Sequence, residues 1–502
     1  MIKWIIFLIY IFVTIYLAYL GNKKTQSLSS YAVGDRKMNP WIVAFALAAS
    51  MTSTATFIIN PGIVYAFGLS AIMGYGVAAG LGLFSGIIIL SKGFRKAGWR
   101  SQSLTVPQWI GERFQDQRFT VFFALVNLLL IAMVVLISYG SAMLIDFTLG
   151  IHNIFPDYHF EITLLFVILF VFTYTSFGGT FAHAYTNTIQ GGIMFTVAIV
   201  LVISGIPYFK AGLFNALSAE NPVLTEIINP QSLFFRNFFE VFLANFIVGF
   251  ALAVQPHFLI KAVYVKDKRD VNKYLTIAVL MGFIFSLVLL VGLFARVKFG
   301  PQYMANVDQV ASIYILQSFS PVIGVFISIA ILAAAMSTLD GILVALSAII
   351  ANDLYLVLAR KHLKDKSSEQ RLSQALRVGR FSMIGLAGLT LVLSLLQHYF
   401  KEFSVAVFAQ TWVYALFNAT FIPLLFGMFS KAMNKQWILA ASLLSIMTHI
   451  VFRYGEFSIL TTADYINPGL TSAYGIIVGL LVMGLYYLIR LFKTNHLATE
   501  QG

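Results

Sequence analysis

Apolar residues in this chain come in blocks of about twenty, each long enough at about 1.5 Å per helical residue to cross a hydrocarbon layer of about 30 Å. Backbone inside such a layer has no water to bond, so each block must satisfy its own N–H and C=O groups as a helix. Charged residues make up only 11% of the 502, against about a quarter in a soluble domain. That is too few to cover a soluble fold of this size. The sequence therefore reads as an all-α membrane protein with about thirteen transmembrane helices.

The blocks predict spans near residues 2–20, 41–68, 70–92, 119–149, 160–177, 185–206, 236–262, 273–297, 318–350, 378–398, 403–430, 436–453 and 471–491. The first is followed by Lys23 and Lys24 and by no small-x-small motif, so it is expected to be kept as a span and not cleaved as a leader. A net charge of +13 does not point to nucleic acid, because the basic residues sit in short loops and not on one polar face. Sorted by loop, 26 of the 33 Lys and Arg fall on one side and 7 on the other. Cytoplasmic loops hold that excess, which places the N-terminus outside and the C-terminus in the cytoplasm, in the inner or plasma membrane of the cell. The absence of cysteine excludes disulfides, thiolate metal sites and cysteine nucleophiles. The longest polar stretches, 207–235 and 353–377, are too short for a soluble domain. The second, with Lys361, Lys364, Asp365, Lys366 and Glu369, is expected to be a solvated cytoplasmic loop.

Two spans are unlike plain lipid-facing helices. In the second, the run from Ala49 to Thr56 carries five hydroxyl residues, and Asn60-Pro61-Gly62 follows within two turns. Proline removes a backbone donor and clashes with the preceding turn, which leaves carbonyls in need of partners. Hydroxyls and freed carbonyls form a hard-oxygen environment suited to a small cation. In the ninth span, Ala333-Ala334-Ala335 permits close helix approach, and Ser337, Thr338 and Asp340 lie beside that contact. The competing reading of each hydroxyl is a bond to its own helix.

With these residues stand Ser30 to Arg36, Pro61 to Tyr65, Gly178-Gly179 with Thr186 to Gln190, Gln255-Pro256-His257 with Lys261, and Asn352 to Tyr355. In this order the chain, from about residue 28 to 430, resembles the sodium:solute symporter family. The resemblance implies a LeuT-type inverted repeat of five plus five helices, with solute and ion near the midplane at broken helices. It divides the chain into 1–40 (peripheral helix and cytoplasmic loop), 41–206 (spans 2–6, first repeat), 207–235 (extracytoplasmic loop), 236–430 (spans 7–11, second repeat) and 431–502 (peripheral spans 12 and 13 with a short tail). It also implies sodium as the co-transported ion, held by the carbonyls of Ala49, Thr52 and Ala334 and the hydroxyls of Ser337 and Thr338. Many relatives carry Asp where this chain has Asn187, and loss of that charge leads us to expect one sodium per solute.

By position in the spans, the solute is expected among Ser53, Thr56 and Asn60 in span 2, Ser138 and Tyr139 in span 4, Asn245 and Gln255 in span 7, and Gln410, Trp412 and Tyr414 in span 11. Each of these also has a plain reading as a helix–helix contact. No Arg or Lys is expected at midplane depth, so an anionic solute would rely on hydroxyls and a broken-helix N-terminus. Asp340 is expected to be the one acid deep in the membrane, where carboxylates are costly. It could pair with a cationic solute, exchange a proton, or accept hydrogen bonds from neighbouring helices. His183, His257, His398 and His449 show no metal-ligand spacing and read as satisfied lone histidines, His257 shaping a helix end near the cytoplasm.

The expected partner is a small organic solute (an amino acid, a monocarboxylate, pantothenate or a sugar-like compound), with membrane lipid around a monomeric unit and no nucleic acid. A proton-coupled carrier of the same fold, for example for a monocarboxylate, stays open. A sensor without transport would need a soluble signalling domain, and an enzyme a clustered nucleophile–base or metal set; neither is visible.

Overall fold

In the second span the chain bends at the hydroxyl run, ahead of Asn60-Pro61-Gly62. The computed structural model describes residues 2–400, 405–430, 433–455, 457, 459 and 466–499. In it helix Pro40–Ser50 stops, residues 51–53 leave the helical path, and a second segment, Ala55–Phe67, departs at 54°. The hydroxyls compete with the backbone there: Ser50 Oγ donates to Ala46 O at 2.8 Å, Thr52 Oγ1 donates to Ala48 O at 3.0 Å, and Ser53 Oγ accepts from the Ala55 amide at 3.2 Å. The proline breaks nothing, because Ala55–Ile59 widens into a π-turn and carries the helix through Pro61. The same device recurs five spans later. Helix Phe239–Leu252 ends, Gln255 adopts φ −55° and ψ 130°, and Pro256 opens a short segment, Pro256–Val263, bent by 62°.

Counting each bent pair as one span gives thirteen helices long and apolar enough to cross a membrane, and among the described residues every regular element is helical. We label them α1 (Ile2–Lys24), α2 (Pro40–Ser50 with Ala55–Phe67), α3 (Leu69–Lys96), α4 (Gln117–Leu149), α5 (His159–Ser176), α6 (Gly178–Lys210), α7 (Phe239–Leu252 with Pro256–Val263), α8 (Lys268–Phe299), α9 (Pro321–Leu358), α10 (Ser368–Tyr399), α11 (Val405–Phe429), α12 (Lys435–Tyr454) and α13 (Pro468–Phe492). Each expected span overlaps its helix. The main difference is at 353–377, where α9 runs on to Leu358 and α10 starts at Ser368, shrinking the expected loop. A capping box between Ser367 and Gln370 starts α10 in water, where apolarity gives no signal. Similarly, 207–235 holds the short helices Ile206–Lys210 and Leu213–Glu220. Lys401, Lys431, residues 403 and 404 of the expected eleventh span, and residues 500–502 of the tail lie outside the described residues.

α9 is the axis of the bundle, with nearly every residue from Ile327 to Leu343 buried. α5, α6, α4 and the first half of α2 pack on it, while α12 and α13 lie against α11. Glycines set the closest approaches. A Cβ on Gly249 would meet the Ala79 carbonyl, one on Gly82 the Phe246 carbonyl, and one on Gly292 the Pro61 carbonyl, so α3 nests against α7 and α8 against α2. At Gly179, φ is +56° and Tyr31 Cδ2 would be 2.6 Å from an added Cβ; this glycine makes the sharp corner between α5 and α6.

Candidate ion and solute site

The break in α2 faces the middle of α9. Ser337 Oγ lies 3.0 Å from Ala49 O and 2.8 Å from Ala334 O. Thr338 Oγ1 lies 3.2 Å from Thr52 O and 3.3 Å from both Ser50 O and Ala334 O. All five expected ion ligands are thus brought together and buried, joined by the Ser50 carbonyl. Ala49 O also accepts from the Thr52 amide at 3.2 Å, but a carbonyl oxygen has two lone pairs and carbonyls cannot bond one another. A small cation among these neutral oxygens would use the remaining lone pairs while binding only modestly. Asn187, fully buried, lies at the edge of the cluster: its Nδ2 donates to Ser337 O at 3.0 Å and to Ser50 Oγ at 3.4 Å, and its Oδ1 has no partner.

Against this cluster opens a cavity of about 1420 Å³, counting its mouth. Seven expected solute residues line it: Ser53, Thr56 and Asn60 from α2, Asn245 within the first half of α7 and Gln255 at its break, and Gln410 and Tyr414 from α11. Thr52 and Thr338 line it too, so ion ligands and solute cavity share a wall. Tyr75, Phe84, Phe285 and Phe417 supply aromatic surface. Among the described residues no carboxylate lines it.

Three expected solute residues lie elsewhere, Ser138 and Trp412 by helix phase and Tyr139 by the direction of its ring. On α4 the cavity face is Met133 and Leu136. Ser138, about 200° further round, is buried with its hydroxyl unpartnered. Tyr139 turns to His398, its OH 3.4 Å from Nδ1, and packs on Phe160. On α11 the lining residues Ala409, Gln410, Val413, Tyr414 and Phe417 follow helical spacing, and Trp412 points from another face.

One expectation about charge also changes. Lys261, placed among the cytoplasmic cations by its position at the end of a span, is fully buried. Its Nζ donates to Ser50 Oγ at 3.0 Å and to His257 O at 2.8 Å. The long side chain runs inward to the break of α2, which residue counting cannot show. Asp340 is fully buried, as are Glu240 in the first turn of α7 and Asp353 near the end of α9. Glu240 pairs with Arg236 at 2.6 Å, and Asp353 accepts from Thr105 Oγ1. Asp340 accepts from Thr186 Oγ1 at 3.2 Å and Tyr174 OH at 3.3 Å, and meets His183 Nδ1 at 2.7 Å. These partners come from α5 and α6, and Asp340 does not line the cavity.

His449 is satisfied by Thr471 and Thr411 O, and His398 stacks on Phe160. His257 departs from expectation: it lines the cavity with neither ring nitrogen partnered. Its motif, Gln255-Pro256-His257, is the available signal, since a break places the following residue at the ligand.

The sequence profile of the sodium:solute symporter family matches residues 31–445. The osmoregulated proline transporter OpuE of Bacillus subtilis is 26% identical over 94% of this chain and 93% of its own length. The sodium/pantothenate symporter of Haemophilus influenzae is 26% identical over 70% and 71%, and a sodium/proline symporter of Staphylococcus aureus 25% over 89% and 85%. Among solved structures, a sodium-coupled sialic acid symporter in a substrate-bound outward-open state superposes with a TM-score of 0.77 at 16% identity, covering 96% of each chain. The nucleobase-cation-symport transporter Mhp1 superposes at 0.51 with 13% identity, over 92% of this chain and 95% of its own. The fold is therefore the LeuT-type inverted repeat in a multi-pass membrane protein. The match runs from the Tyr31 motif through the oxygen cluster into α12, and the chain belongs to the sodium:solute symporter family, as a sodium-coupled symporter of a small organic solute.

Proposed function

We propose that sodium is held by the carbonyls of Ala49, Thr52 and Ala334 and the hydroxyls of Ser337 and Thr338, and that the solute occupies the adjoining cavity against Ser53, Thr56, Asn60, Asn245, Gln255, Gln410 and Tyr414. The observation that carries this is the approach of Ser337 Oγ to Ala49 O at 3.0 Å and of Thr338 Oγ1 to Thr52 O at 3.2 Å. The ion draws the α2 break onto α9. Because Thr52 and Thr338 also form cavity wall, an ion that fixes them raises solute affinity, and linkage requires the solute to raise ion affinity equally. Access then alternates by motion of one repeat against the other around the site.

Asn187 supports a ratio of one sodium per solute, since a neutral amide stands where a carboxylate would add the charge to hold a second cation. Asp340, tied to α5 and α6, positions α9 and does not touch solute. One chain contains the whole site, so the monomer is the working unit. The N-terminus lies outside and the C-terminus in the cytoplasm of the cell membrane. Uptake by proteoliposomes at a series of clamped potentials and sodium gradients gives the stoichiometry; a reversal point at two sodium ions per solute contradicts the ratio.

A further inference from the structure

His257 is 2% exposed, lines the solute cavity, and has no hydrogen-bond partner on either ring nitrogen. Leaving a buried donor and acceptor unpaired is expensive, and in a native site it calls for a ligand or water. The ring also borders a smaller cavity, shared with His183, whose Nε2 is likewise unpartnered. His257 thus stands between the solute chamber and a second void.

One turn further along the same segment, Lys261 is fully buried with an ammonium that bonds only neutral oxygens, Ser50 Oγ and His257 O. Asp340 is the carboxylate that acts on it through space, and that group is already engaged by His183, Tyr174 and Thr186. Ser50 lines the cavity, so the ammonium lies immediately behind the cavity wall. With a cation behind the wall and no carboxylate on it among the described residues, the chamber favours negative charge.

We infer that the solute carries a carboxylate and that His257 is the residue that donates a hydrogen bond to it, with Lys261 supplying charge from behind. This deepens the reading of the cavity as the solute site and rests on it. A sugar hydroxyl would satisfy the imidazole but leave the ammonium without use, and an amine at this end would be repelled. The amides of Asn60, Asn245 and Gln410 and the rings of Tyr75, Phe84 and Phe285 receive the remainder of the solute.

The test uses the purified full-length chain. Thermal stability is measured in sodium and in potassium with L-proline, acetate, and two matched pairs, lactate with lactamide and pantothenate with pantothenol; glucose and choline complete the panel. An acid stabilises in sodium, and its neutral counterpart does not. For uptake of that acid, His257→Phe raises KM about tenfold or more, the loss of one hydrogen bond to a charged group. His257→Gln, which keeps a donor, retains more affinity, and half-saturation by sodium, measured at saturating solute, barely moves in either. Stabilisation by a neutral or cationic compound instead, or by none of the acids, overturns the inference, as does an unchanged KM in both variants. An acid that binds equally well without sodium leaves His257 its role and sinks the sodium-coupled reading of the site.

Discussion

Lys261 donates to Ser50 Oγ across 3.0 Å and so ties the break of α7 to the break of α2. Both helices are broken in mid-span, and residues of both line the cavity. When Lys261 is protonated, the link places a positive charge one residue from the Ala49 carbonyl. A buried cation without an ion pair is costly, and one beside a cation site opposes the ion. In a symporter this is useful, because an ion held too tightly is not released.

Replacing Lys261 with Met removes that opposition. Sodium titration of uptake is expected to give half-saturation at about a tenth of the native concentration, with slower turnover, while Lys261→Arg stays near the native value.

Asp340→Asn is expected to act on stability and not on recognition. The side chain accepts from Tyr174 and Thr186 and meets His183, so weakening it costs about 1–3 kcal/mol. Melting of the purified variant reads this directly, and the KM for solute should remain native.

Gly292→Ala drives a methyl into the Pro61 carbonyl where α8 crosses α2. Overpacking of about 1–3 kcal/mol is expected to lower the melting temperature. Because the displaced backbone leads into Asn60 of the cavity, solute affinity should fall with it, whereas Gly385→Ala, which meets nothing within 4 Å, serves as the neutral control.

Lipid imposes helices of fixed length, so the thirteen spans are legible in the apolar blocks of the sequence alone. The hydroxyl run from Ser50 to Thr56, set against Ser337 and Thr338, likewise identifies the two helices that meet. What escapes the sequence depends on direction and not on position along a helix. Lys261 sits at the end of a span in sequence, yet its side chain turns inward. Ser138 and Trp412 are at plausible depth but on the wrong face, since a shift of two residues turns a side chain to the opposite side of its helix, and Tyr139, three residues past Leu136, turns its ring to His398 and Phe160. The π-turn that absorbs Pro61 also escapes the sequence, so that the break of α2 falls at the hydroxyls alone.

The topology is open to a simple labelling experiment, since the sequence contains no cysteine. A single cysteine at Glu369, in the exposed first turn of α10, is expected to react with an impermeant maleimide only in inverted vesicles. One at Asp157, between α4 and α5, is expected to react in intact cells. The reverse pattern would invert the assigned orientation.

The central claim is that the oxygens of α2 and α9 hold the transported sodium. The most direct measurement is sodium-dependent uptake into proteoliposomes by Ser337→Ala and Thr338→Ala, each checked for native melting in the absence of sodium. The account predicts that each variant needs about 10–100 times more sodium for half-saturation, the loss of one ligand to a charged group, and that the double variant no longer responds to sodium. Native sodium dependence in both single variants would contradict it.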